Sequence, residues 1–152
     1  GDTAEEVKSR DNTPEVKWVS SADGTRAQGF IEDKAAKYVS EQNLILANGD
    51  FRGFRRLMEV LGAEYPHADA STVKQTVQAW TTLQLIESVI GIQSLQGSPE
   101  WSSSDDVQRA LSEEALTTAV MARYASLSQM KRQLGSRVGR ADQGLTAQVD
   151  GE

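Results

Sequence analysis

The chain has 152 residues, 38% of them hydrophobic and 25% charged, enough to build one domain with its own core without help from metal or disulfide. It has no cysteine and a single histidine, His67, which excludes a disulfide framework, thiolate chemistry and any histidine pair at a metal. A formal net charge of −6 argues against broad, non-specific nucleic-acid binding and leaves only a local basic patch for such a role.

Residues 1–14 are acidic and polar where a signal peptide would be basic and then apolar, and they read as a flexible tail. No window reaches the apolar length of a membrane span, so the expectation is a cytoplasmic protein without membrane contact. "PEVKWVSS" has the alternation and β-formers of a short strand, ended by the turn residues "ADGT". "RAQGFIEDKAAKYV" is ambiguous, because Ala35, Ala36, Tyr38 and Val39 also fit a helix. Followed by "SEQN" and "LILAN", it is read as the first arm of a β-hairpin with a four-residue loop.

Asp50 is placed to cap the next helix, and Phe51, Phe54, Leu57, Met58 and Leu61 recur at helical spacing, with Gly62 as its stop. Ser71 opens a longer helix to about Gln96, closed by Gly97 and Pro99. Within it, Val73, Val77, Trp80, Leu83, Leu85, Ile86, Val89, Ile90, Ile92 and Leu95 cover most of the circumference, and only Lys74 and Glu87 are charged. A helix apolar nearly all round is either central or covered by a second copy of the chain, which makes Trp80, Leu83, Ile86 and Ile90 candidate interface residues.

Ser104 with Asp105 and Asp106 starts a further helix, and Ser112 with Glu113 and Glu114 restarts the chain after Leu111, since negative charge in a first turn complements the helix dipole. Leu116, Ala119, Val120, Arg123 and Tyr124 form the next face, and Leu127, Met130, Leu134 and Val138 the last. The expected architecture is a helix-dominated α+β domain over residues 15–139. Strands fill 15–50 as a small antiparallel sheet packed on helices in 51–139, and a flexible tail occupies 140–152.

Arg52, Arg55 and Arg56 lie on one side of the helix after Asp50, near its electropositive end, and could grip a phosphate or carboxylate. Against this, Asp50 already holds the anion position, and Glu59 is spaced to pair with Arg55. From Arg123 to Arg140, the residues Arg123, Lys131, Arg132, Arg137 and Arg140 meet no acidic residue. They either complement a helix C-terminus or touch nucleic acid, with Lys131, Arg132 and Arg137 as the contacts. Glu87 is either a buried functional carboxylate or part of a polar stripe with Gln84 and Ser88. His67 with Asp69 is an acid/base couple or an exposed turn. "DGTRAQG", with Asp23, Gly24 and Gly29, lacks the spacing and lysine of a P-loop. Adjacent carboxylates such as Asp105/Asp106 and Glu113/Glu114 diverge along a helix and make no acid/base dyad. No residue pattern calls for a cofactor or metal.

"FIEDKAAKYVSEQNLILANGDFRGF" resembles a segment of large bacterial ATP-binding proteins of the gyrase/Hsp90/histidine-kinase (GHKL) ATPase superfamily. "QSLQGSPEWSSSDDVQRALSEEALTTAVMARY" is similar to their C-terminal helical portion, so the resemblance runs from about Val16 to Gly139. The superfamily's ATP site needs a helix with an essential Glu and a metal-binding Asn, then an Asp-x-Gly-x-Gly loop. "SEQN" and "DGTRAQG" do not supply these in order or spacing, so no ATP-site residue is carried over. The resemblance implies a non-catalytic module beyond an ATPase domain, either self-associating or coupled to that domain. The other expectation is a nucleic-acid contact through the arginines.

Overall fold

The computed structural model describes residues 12–127. Contacts divide the chain into two units, Gly1–Val120 and Met121–Glu152. The first begins with strand β1 (Glu15–Val19), a long connection, β2 (Ala36–Val39), a 3-10 turn (Ser40–Gln42) and β3 (Leu44–Asn48). Helices α1 (Arg52–Glu64) and α2 (Ala70–Leu95) follow, then a second 3-10 turn (Pro99–Trp101) and α3 (Ser104–Ala110). Residues 113–127 are also helical (α4), those from 121 onward in the second unit. The molecule is thus α+β and helix-dominated, with a three-stranded sheet at its N-terminal side.

The hairpin forms where its residues favour it. Between Val39 and Leu44 the chain turns through Ser40–Gln42 into Asn43, which takes the left-handed conformation at φ 47°. Asparagine tolerates that region because its short amide bonds locally. Here the Asn43 Oδ1 accepts from the Tyr38 hydroxyl at 2.7 Å, and Gln93 Nε2 donates to the same hydroxyl at 2.8 Å, which ties the hairpin to α2.

The sheet order is β1-β3-β2, with β2 antiparallel and β1 parallel to the central β3. This corrects the expected all-antiparallel sheet. Ala36 stands level with Ala47 and so with Trp18, which means the connection from Ser20 to Ala35 stays at the C-terminal end of β1 and crosses to the far side of β3; β2 then returns the chain to the level of Glu15, from which β3 runs parallel to β1. Val16, Trp18, Ile45, Ala47, Ala36 and Tyr38 share one face by register. On that face the Trp18 ring lies 5.3 Å from Phe54 of α1, and its Nε1 donates to Thr82 Oγ1 of α2 at 3.0 Å. The connection folds over the other face, where Lys37 Nζ sits 5.2 Å above the Phe30 ring.

The core is completed by Phe54, Leu57 and Leu61 of α1, by Val77, Thr81, Leu85 and Val89 of α2, and by Val107, Leu116 and Val120. Helix ends differ from expectation by a residue or two. α1 runs past Gly62 to Glu64; α2 starts at Ala70 behind Asp69, and Gly97 follows its end at φ +92°. The third helix does start at Ser104, with Ser103 capping it by accepting from Asp105 N. Ser112 does restart the chain, its Oγ accepting from Ala115 N at 3.2 Å. The tails and the apolar face beyond Leu127 lie outside the described residues, apart from residues 12–14.

Candidate functional site

Helix α2 carries apolar residues on two opposite faces. Val77, Thr81, Leu85 and Val89 recur every fourth position and are buried. Leu83 and Ile90, two turns apart, point the other way and are 57% and 42% exposed. Trp80 and Ile86 flank them half-buried, so the four candidate interface residues do fall together on and beside one outward face. Glu87 is exposed on the same helix, which removes the reading of a buried carboxylate there. The helix is therefore central on one side only.

The Asn48-Gly49-Asp50 turn is built as a corner. Asn48 is fully buried; its Nδ2 donates to the carbonyls of Ile31 at 2.6 Å and Lys34 at 3.0 Å, while its Oδ1 accepts from Asp50 N at 3.0 Å. That amide holds the connection in place, including Ile31 at φ 46°, a conformation a β-branched residue rarely adopts. Gly49 allows close approach to β1, since its N donates to Val19 O at 2.8 Å and a Cβ there would meet the same oxygen at 3.3 Å.

Asp50 does not cap α1. Phe51 occupies the N-cap position with no side-chain cap, and the Asp50 carboxylate turns instead to Ser21 N at 2.7 Å, Ser21 Oγ at 2.9 Å and Arg26 Nε at 2.8 Å. The Arg26 guanidinium, with the Ser21 backbone N–H, holds the Asp50 carboxyl down at about 2. Arg26 also donates to Phe30 O and Ser21 Oγ, so the former "DGTRAQG" candidate is a cross-brace.

The three arginines of α1 do not converge on an open anion site. Arg52 makes a two-pronged pair with Asp33 at 2.8 and 2.6 Å; Arg55 lies 3.7 Å from Asp50, and Arg56 lies 3.8 Å from Glu59. The expected Arg55 to Glu59 pairing is thus replaced by neighbours on either side. The Arg52 hydrogen bond lowers the Asp33 pKa below its ordinary value. Lys131, Arg132 and Arg137 lie outside the described residues. His67 and Asp69 are both exposed between α1 and α2.

Shallow clefts flank α3. One of about 460 Å³ is lined by Glu100, Trp101, Asp106, Arg109 and Ala110, with Arg109 and Asp106 already joined at 2.7 Å. Another, about 280 Å³, lies between the hairpin and the start of α4 and contains the Lys37 to Glu113 pair at 3.8 Å. A third, about 490 Å³, is lined by Asp105, Gln108, Arg109 and Ser112. None of the three brings a nucleophile against a base. Among the described residues no cluster of three or more His, Asp or Glu is arranged to hold a metal, and no helix is long and apolar enough to cross a membrane.

The sequence pattern exposed the α2 residues but not the buried Asn48 amide or the Arg26–Asp50 brace, both of which join positions far apart in sequence. Comparison with protein-family models, with curated proteins and with solved structures gives no match.

Proposed function

We propose that this chain is a non-catalytic association module in which the outward face of α2 docks on an apolar protein surface. The observation that carries this reading is the pair Leu83 and Ile90, exposed on a helix whose opposite face is already committed to the core. Water contact with the large aliphatic groups of Leu83 and Ile90 is unfavourable, and covering them recovers roughly 25 cal/mol for each Å². The resemblance to the C-terminal portion of GHKL-type ATPases fits such a role. In a bacterial, cytoplasmic ATPase of that kind, nucleotide binds elsewhere, and this module joins copies together or couples to the ATPase domain.

Self-association is tested by light scattering of the full chain across a salt series. The expected result is an assembly of at least twice the 16.6 kDa chain mass, insensitive to salt because the contact is apolar. The L83E/I90E variant should lose that assembly while keeping its helical circular dichroism. A wild-type chain that is strictly monomeric at about 100 μM, a range in which weak interfaces are populated, would overturn the self-association reading.

A further inference from the structure

We propose that the open edge of β1 is a second interface, independent of α2, and that its occupant is β1 of another copy of this chain, running antiparallel. β1 has β3 as its sheet neighbour on one side only. Glu15 N donates to Asn43 O, and Gly49 N donates to Val19 O, so Glu15, Lys17 and Val19 turn their backbone groups toward β3. By the alternation of a parallel ladder, Val16 and Trp18 turn theirs outward. The next outward residue, Ser20, is closed off within the chain: Thr25 N and Arg26 N donate to its carbonyl, and its own N donates to Thr25 Oγ1.

The other edge of the sheet is handled differently. At the start of β2, Ala35 N donates to Thr117 Oγ1 of α4, and Lys34 and Lys37 reach Glu114 and Glu113. The β1 edge has no such cover among the described residues. An unpaired row of N–H and C=O groups is a template for another strand.

The charges on β1 choose both the occupant and the register. Glu15 and Lys17 are exposed and alternate with the outward-bonding residues. When Val16 faces Val16 of a second copy, each Glu15 stands opposite a Lys17, twice over by symmetry. Val16 then exchanges both bonds with its counterpart, and each Trp18 N–H meets a Pro14 carbonyl. Pro14, with no N–H, ends the ladder there. Shifting to the register in which Val16 faces Trp18 places Lys17 against Lys17, an unfavourable contact. The strand is therefore complementary to itself in one alignment. Because only five residues pair, the interface falls below the standard size for stable complexes and the dimer is weak.

The test uses the full chain carrying L83E/I90E, which removes the α2 face, studied by sedimentation up to about 0.5 mM, where a sub-millimolar Kd is measurable. A salt-weakened dimer is expected. Either E15K or K17E alone sets like charges opposite each other at two symmetric sites and should raise Kd about tenfold. The double swap E15K/K17E restores the opposite pairing and should return Kd to within about twofold of the parent. A monomer throughout, single variants that dimerise like the parent, or a double swap that stays weak would each overturn the edge interface. None of these outcomes bears on the α2 reading, which fails if the wild-type chain is monomeric at about 100 μM or if L83E/I90E leaves its mass unchanged at that concentration.

Discussion

Replacing Asn48 by alanine removes a side chain with no solvent exposure and its three hydrogen bonds of 3.0 Å or less, Nδ2 to Ile31 O at 2.6 Å, Nδ2 to Lys34 O at 3.0 Å and Oδ1 from Asp50 N at 3.0 Å, beside a longer one from Nδ2 to Glu32 O at 3.4 Å. At a net contribution of about 1 kcal/mol each the loss is about 3 kcal/mol, and the Ile31 carbonyl left buried adds to it, so about 3–4 kcal/mol is expected. For a domain of this size that lowers the melting temperature by roughly 10–15 °C. Urea unfolding followed by tryptophan emission is the assay, since Trp18 packs on Phe54 and bonds to Thr82 within the same unit. The midpoint should fall with the m-value unchanged. Asn48→Asp should be worse than alanine at neutral pH, because a carboxylate would face carbonyl oxygens and its pKa would rise. It should then regain stability as the pH falls and the group protonates. A loss below about 1 kcal/mol for the alanine variant would refute the claim that this amide organises the connection.

The Asp50 carboxyl, ordinarily 3.8 and held at about 2 by Arg26 and Ser21, contributes stability that is fully present above its unfolded value and lost as pH falls from about 4 toward 2. An acid titration of thermal stability should show that decline, and Asp50→Asn should flatten it. At the hairpin, Asn43→Ala forfeits both the left-handed preference and the Tyr38 bond, for an expected loss of about 2 kcal/mol in the same unfolding assay. Asn43→Gly should lose only about half as much, because glycine adopts φ 47° freely; equal losses would show that the turn conformation is immaterial.

The hairpin was legible because its signals are local: β-formers on both arms and an asparagine where the chain must turn. The direction of β1 was not, since parallel pairing depends on where the Ser20 to Ala35 connection travels, and that is settled by Asn48 and Arg26 reaching across it. Asp50 has the position and chemistry of a helix cap, yet Arg26, placed by tertiary folding, competes for the carboxylate and wins. The apolar count of α2 pointed to a helix shared between two surroundings. Which residues face outward follows from the placement of the sheet and α1 against Val77, Leu85 and Val89.

The order β1-β3-β2 also has a consequence in time. The central strand is joined to β2 by a short turn, so that ribbon closes with little loss of chain entropy, while β1 reaches β3 only after a much longer loop has been brought together. The first strand in sequence thereby depends on the last for its place, and its rungs raise the contact order of an otherwise local topology. Synthesis from the N-terminus presents β1 before its mate exists, so the segment bearing Trp18 waits unpaired until Leu44–Asn48 has emerged.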